Sequence, residues 1–415
     1  MSAVPEVAYY ALLEIFVFLA VAELLHSFAR KVGVPTLVSD LLLGVLLSSF
    51  ALGGVLNSLI GVPIFVVNDY ILLFADFSVI LLLFAAGLGG GFAGLRRAGP
   101  PAVLAAVAGD LVPFALALVV FSRFYSVNVA LLLAVACAAT SSAVVASLLQ
   151  SERLTDTPVG QFHMNVAALD DVVALVLLSV VLTIVGGQFD VIAVTGSIVE
   201  LAVAWVVLLL ASVLIIPRLL RVPQLRDAQR MPFLFLFVLV AVVVALGFSA
   251  VIGAFIAGLA VAESLAASRT RQITEILLIL FGSLFFVVVG AQFDVHELLV
   301  PGLIVFALLL ALIAAAGKVV AVYPFARLRW TPAQARAISV GMIPRGEIGL
   351  IIGAIGYADG ILTQTTLGVV LVMSIVTTLA GSLLFRRADR AIRPAAPLPP
   401  TRPPEVVPSG PSAPG

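Results

Sequence analysis

Long apolar stretches alternate with short polar or charged breaks along nearly the whole chain. Thirteen can be marked, near residues 7–29, 35–53, 70–89, 100–121, 128–149, 159–185, 190–216, 231–247, 249–263, 275–292, 298–325, 334–358 and 364–385. At a rise of about 1.5 Å per residue most are long enough to cross the ~30 Å hydrocarbon core of a bilayer as helices. The ninth is short and nearly continuous with the eighth, so twelve is the competing count. The first stretch has Glu6 before it and Arg30-Lys31 after it, and lacks the basic flank and small-residue cleavage site of a signal peptide. It reads as a retained transmembrane helix. The expected fold is an all-α polytopic membrane protein.

Charge decides between the counts. With thirteen crossings and the N-terminus outside, the cytoplasmic loops and C-terminal flank hold nineteen Arg and Lys, and the outer loops hold Arg123 alone. The positive-inside rule favours that arrangement and a cytoplasmic C-terminus; twelve crossings scramble the asymmetry halfway. Thirteen is also six, one, six, which permits inverted repeats of segments 1–6 and 8–13 with segment 7 between them. After Arg393 the chain turns Pro-rich, and residues 394–415 read as a disordered cytoplasmic tail.

Composition agrees with membrane residence. Of 415 residues, 62% are hydrophobic and 11% charged, and the net charge is zero, which leaves no basic excess for nucleic acid. Cys137 is the only cysteine, so an intrachain disulfide is excluded, and His26, His163 and His296 have no ligand spacing.

The informative residues are the polar ones within apolar segments. Asp170 and Asp171 lie side by side near the middle of segment 6. Carboxylates at that depth cost several kcal/mol, about 2.5–3.5 each on insertion scales, and mark ion or proton sites. Neighbours on a helix point roughly 100° apart, so one can face a cavity while the other faces a packed helix. A proton-sharing structural dyad is the competing reading. Lys318 in segment 11 is one of only two lysines against twenty arginines. A lysine can release its proton where an arginine effectively cannot, so a titrating partner for Asp170 is expected, with snorkelling to the inner interface as the alternative. Segment 12 carries Gly-Met-Ile-Pro-Arg-Gly-Glu, residues 341–347, where Pro344 and Gly346 predict a helix break. Arg345 needs a partner. Glu347 is the nearest in sequence but does not face it on an intact helix, and Asp76 or Asp110 could take that place. Thr140-Ser141-Ser142 in segment 5 could cap an interrupted helix or ligate a cation; hydroxyls bonded back to the carbonyls of an intact helix are the favoured reading on residues alone. Glu14, Glu23, Asp40 and Glu200 lie in or near other segments. His163 is expected at a hydrated interface, and Gly87–Gly91, Gly247, Gly253 and Gly258 are expected to mark close helix packing.

Together, Thr140-Ser141-Ser142, Leu169-Asp170-Asp171, Gly317-Lys318 and the Pro-Arg-Gly-Glu stretch, in that order on thirteen segments, resemble the monovalent cation:proton antiporter superfamily, and within it the electrogenic sodium/proton antiporters of the NapA and NhaA type. The resemblance covers about residues 7 to 390. It implies that segments 5 and 12 cross as broken helices. It also implies a dimer domain at about 7–89 and 231–292, a linker helix at about 190–216 and a core ion-transport domain at about 100–185 and 298–393. Asp171 then corresponds to the ion-binding carboxylate, Asp170 to the salt-bridge partner of Lys318, and Thr140 and Ser141 to the unwound stretch lining the site, with Arg345 and Glu347 as structural charges. The activity implied is transport and not an enzyme reaction, without a cofactor: sodium or lithium exchanged for protons by a homodimer in the cell membrane, serving pH homeostasis. A potassium/proton antiporter on the same scaffold, a cation channel and a non-transporting sensor are the alternatives.

Overall fold

The computed structural model describes residues 6–32, 34–90, 99–155, 157–185, 207–222, 224, 229–246 and 250–388. Among them all regular structure is helical. The helices are α1 (Glu6–Val32), α2 (Thr36–Leu47), α3 (Leu52–Ile60), α4 (Asp69–Gly90), α5 (Pro100–Phe121), α6 (Val127–Ala138), α7 (Ser142–Ser151) and α8 (Pro158–Val185). After them come α9 (Val207–Leu219), α10 (Met231–Ala245), α11 (Ala250–Ala262), α12 (Ala267–Ala291), α13 (Leu303–Arg327), α14 (Pro332–Gly341), α15 (Glu347–Ala358) and α16 (Gln364–Ala388). Eight spans, counting α6–α7 as one, are each long and apolar enough to cross a membrane, and the α2–α3 pair, bent by 44°, makes a ninth. Helices α9, α10, α11 and α15 are apolar but shorter. Residues 190–206 of segment 7, Glu200 among them, together with Gly91, Gly247 and the Pro-rich tail, lie outside the described residues.

Segments 5 and 12 are each split. α6 stops at Ala138, Ala139 is extended, and α7 starts under a cap in which Ser141 Oγ accepts from Val144 N at 3.2 Å. The favoured reading of Thr140–Ser142 as part of an intact helix is therefore corrected. α14 starts from a capping box between Thr331 and Gln334 and ends at Gly341. Residues 342–346 are not helical, and Pro344 has no N–H with which to continue the ladder.

The helices pack as two groups. In one, α2 lies against α12 and α4 against α11, with α1 and α10 flanking. Both pairs touch backbone to backbone: a Cβ on Gly44 would sit 2.0 Å from Val287 O, and one on Gly258 would sit 2.1 Å from Phe84 O. Small residues allow that approach. In the other group α5 packs along α13, α5 also holds α6 and α8, and α13 also holds α14 and α16. Gly317 receives the Pro113 ring, and Gly109 leaves room for the Lys318 side chain. The broken helices lie in this second group, and α15 also reaches α12 of the first.

Candidate ion site at two crossed helix breaks

A broken helix exposes carbonyls at the end of one half and N–H groups at the start of the next. Here two breaks meet. Ser141 N, at the start of α7, donates to Pro344 O in the other break at 2.9 Å. The freed backbone groups and buried charges of α5, α8 and α13 gather around that contact, most of them paired and a few, Asp171 Oδ1 and Asp110 Oδ2 among them, not.

Lys318, fully buried on α13, uses all three of its donors. Nζ donates to Asp110 Oδ1 at 2.7 Å, to Asp170 Oδ1, and to Ala138 O, a carbonyl at the end of α6, at 3.1 Å. It does not snorkel. Asp170 is held on its other oxygen as well, since Thr140 N donates to Oδ2 at 2.9 Å. Asp170 is thus committed to the scaffold on both sides.

Arg345 is 0% exposed and has no carboxylate within ion-pair distance among the described residues. It is bound by carbonyl ends instead. Nη1 donates to Met342 O at 3.0 Å and to Thr140 Oγ1 at 3.1 Å, and Nη2 donates to Ala314 O at 2.9 Å. Its own carbonyl accepts from Thr378 Oγ1 at 2.5 Å, so α16 pins the break. Neither Asp76 nor Asp110 is its counter-ion. Thr140 links the two interruptions, donating from its hydroxyl to Met342 O at 3.2 Å.

Glu347 pairs elsewhere too. It opens α15, and its carboxylate reaches the first turn of α7. Ser141 Oγ donates to Oε2 at 2.5 Å, Ser142 Oγ to Oε1 at 3.3 Å, and Ala143 N to Oε1 at 3.1 Å. The amino-terminal ends of two short helices thus converge on one carboxylate, which their dipoles favour.

Asp171 differs from Asp170 and Glu347. It is 3% exposed, its Oδ1 is buried, and that oxygen has no hydrogen-bond partner among the described residues; Asp110 Oδ2 is also unpaired, but the other oxygen of Asp110 holds Lys318 Nζ, whereas no ion pair among the described residues engages Asp171. Its electrostatic neighbours are Glu347, Asp170 and Asp110, with the Ser142 hydroxyl alongside. A buried carboxylate oxygen left unpaired among other acids is an acceptor waiting for a cation or a proton.

Sequence reasoning missed the role of Asp110. The available signal was a Gly-Asp pair, Gly109-Asp110, at mid-depth in segment 4. It also missed that Arg345 is bound by backbone, because carbonyls freed by tertiary breaks leave no mark in composition. His163 is not hydrated at an interface: it is buried against Gly341, with its ring 5.8 Å from that of Phe385.

An all-helical bundle with buried, paired charges at two crossed breaks places the chain among polytopic membrane transporters. The family described as sodium/hydrogen exchanger, transmembrane, matches residues 15–387, and the chain belongs to it. Its family is one of cation/proton antiporters, not of enzymes. The chain is 32% identical to the high-affinity Na+/H+ antiporter NhaS3 of Synechocystis over 357 residues, 80% of this chain and 75% of that one. It is 26% identical to a Na+/H+ antiporter of Enterococcus hirae, over 86% of this chain and 92% of that protein. Its fold is similar to that of the sodium proton antiporter MjNhaP1 from Methanocaldococcus jannaschii, with a TM-score of 0.69, 16% identity, and coverage of 92% and 97% of the two chains.

Proposed function

We propose that this protein exchanges sodium or lithium for protons across a membrane by alternating access, with cation and proton competing for Asp171. The observation that carries the reading is the contrast between two adjacent carboxylates. Asp170 is engaged on both oxygens by Lys318 and Thr140, while Asp171 Oδ1 has no partner. Thr140 and Ser141 hold the unwound stretch beside it, and Ser142 and Glu347 are among the oxygen-bearing groups that surround Asp171. Arg345 and Glu347 keep the crossing of the breaks together.

Charge counting supports coupled exchange. Asp110, Asp170, Asp171 and Glu347 carry four negative charges when ionised, against two positive charges on Lys318 and Arg345, all six residues being buried. The deficit of two is met in part by one sodium ion or in full by two protons, and a site that crosses the membrane is cheapest near neutrality. One proton on Asp171 and a second on Asp170, with Lys318 charged throughout as in this count, makes the exchange two protons per sodium and therefore driven by voltage.

The proposed topology is thirteen crossings, N-terminus out and C-terminus cytoplasmic, with segments 1–6 and 8–13 as inverted repeats. The pairing of segment 2 with segment 10 through Gly44 and Gly290, and of segment 9 with segment 3 through Gly258 and Gly87, is what a two-fold relation between such repeats demands. The α2–α4–α11–α12 group is then the dimer domain of a homodimer, and the group holding the breaks is the moving core.

Proton flux in proteoliposomes, with sodium, lithium and potassium added in turn, with and without a membrane potential, tests this. Flux with sodium and lithium that changes with voltage is expected. Flux with potassium alone would reassign the substrate, and a flux indifferent to voltage would make the exchange electroneutral.

A further inference from the structure

Outside the ion site, one buried acid stands in a cavity with a titratable partner behind it. Asp40, on α2, is 2% exposed, and its Oδ1 lies 2.5 Å from His26 Nε2 on α1. On its other nitrogen, His26 Nδ1 is 3.9 Å from the Oε2 of Glu23, whose side chain is largely exposed. Glu23, His26 and Asp40 therefore form a chain of proton-bearing groups from the surface inward. It ends at a cavity of about 200 Å³ between the two helix groups, lined by Asp40, Thr36 and Ser283 on one wall and by Ser147, Ala143 and Glu347 on the other. Glu347 is the carboxylate held by both broken helices, so the cavity reaches the ion site from the end of the bundle where α2 begins and α7 finishes.

We propose that Asp40 is a staging residue for the transported cation, and that His26 sets its charge and so makes cation entry depend on pH. With His26 neutral, its N–H bonds to an Asp40 carboxylate that keeps a full negative charge beside hydroxyl oxygens of Thr36, Ser147 and Ser283. That is an oxygen-lined vestibule for a hard monovalent cation on its way to Asp171. With His26 protonated, the pair is neutral and the attraction is lost. Histidine is the side chain whose ordinary titration falls between about pH 5 and 8. Among the described residues, the other titratable groups facing the pair are Glu23 on α1 and, across the cavity, Glu347 on α15; α12 presents Ser283 and α4 presents Leu82. The proposal rests on the exchange reading above.

The test is sodium-driven proton flux in proteoliposomes carrying the full chain, with the KM for sodium measured from pH 5.5 to 8.5. In the unaltered protein log KM rises with acidity both through competition at Asp171 and through His26. His26→Gln removes the second contribution, so the slope of log KM against pH should fall by about a quarter to a half of a proton near pH 6–7, the most that a three- to tenfold change in KM allows. Asp40→Asn should raise KM at pH 8 about three- to tenfold, the effect of a single partly screened charge, with kcat within twofold, and should make a His26→Gln change added to it silent. Asp40→Glu, which keeps the charge, should restore most of the affinity. Unchanged slope in His26→Gln, unchanged KM in Asp40→Asn, or equal losses in Asp40→Asn and Asp40→Glu would each overturn the proposal. Absence of flux in the unaltered protein would be a failure of the exchange reading itself, distinguishable because every comparison is made against that flux.

Discussion

Lys318, Asp110 and Asp170 form a buried unit in which one ammonium neutralises one carboxylate fully and shares the other. Removing the cation leaves two acids without compensation in a site closed to water. Lys318→Met should therefore destabilise the protein by about 3–5 kcal/mol, read as a fall in the unfolding midpoint in detergent. Adding Asp110→Asn should recover part of the loss, because residues in one network are coupled; a double variant no more stable than the single would show that the three do not act together. At this scale the sequence disclosed which residues carry chemistry but not all of their partners. Asp170, Asp171, Lys318 and Arg345 stand out because ionised groups are costly in an apolar run. That cost does not say which acid meets which base. Asp110 joins Lys318 only because α5 and α13 pack closely enough at Gly109 and Gly317, a distance that no local pattern encodes.

The two breaks differ in how far they were legible. Pro344 and Gly346 announce one of them through missing donors and weak helix propensity. The other is made by residues that are content in a helix, since hydroxyls bond back to carbonyls readily. α7 starts at Ser142 because Ser141 caps it and Glu347 binds its first turn, a partner 206 positions away from Ser141. Such a break exists only once the second break is beside it. Gly346 is where they touch most closely: a Cβ there would lie 2.6 Å from Ser141 Oγ and 2.9 Å from Leu37 Cδ1. Gly346→Ala should force the two breaks apart, lower stability by about 1–3 kcal/mol and abolish exchange. Gly89→Ala, where an added Cβ meets nothing within 4 Å, should leave both unchanged. Normal exchange in Gly346→Ala would mean that the crossing tolerates a slack the packing does not suggest.

Over the whole molecule, the apolar pattern carries the helical class and the positions of the helices, because a bilayer requires every backbone group to be satisfied within its own helix. It does not carry the grouping of helices into two bodies, which depends on glycine contacts such as Gly44 with α12 and Gly258 with α4. It also could not foresee the cavity joining Asp40 to Glu347, which lies between those bodies and belongs to neither alone.

Central to the proposed exchange is one buried oxygen, Asp171 Oδ1, proposed to take either a metal ion or hydrogen. The most direct test is sodium-driven proton flux in proteoliposomes with Asp171→Asn beside the unaltered protein, both checked for equal insertion and folding. Flux in the unaltered protein and none in Asp171→Asn is the predicted result. Robust flux in the variant would contradict the assignment of Asp171 as the exchange site.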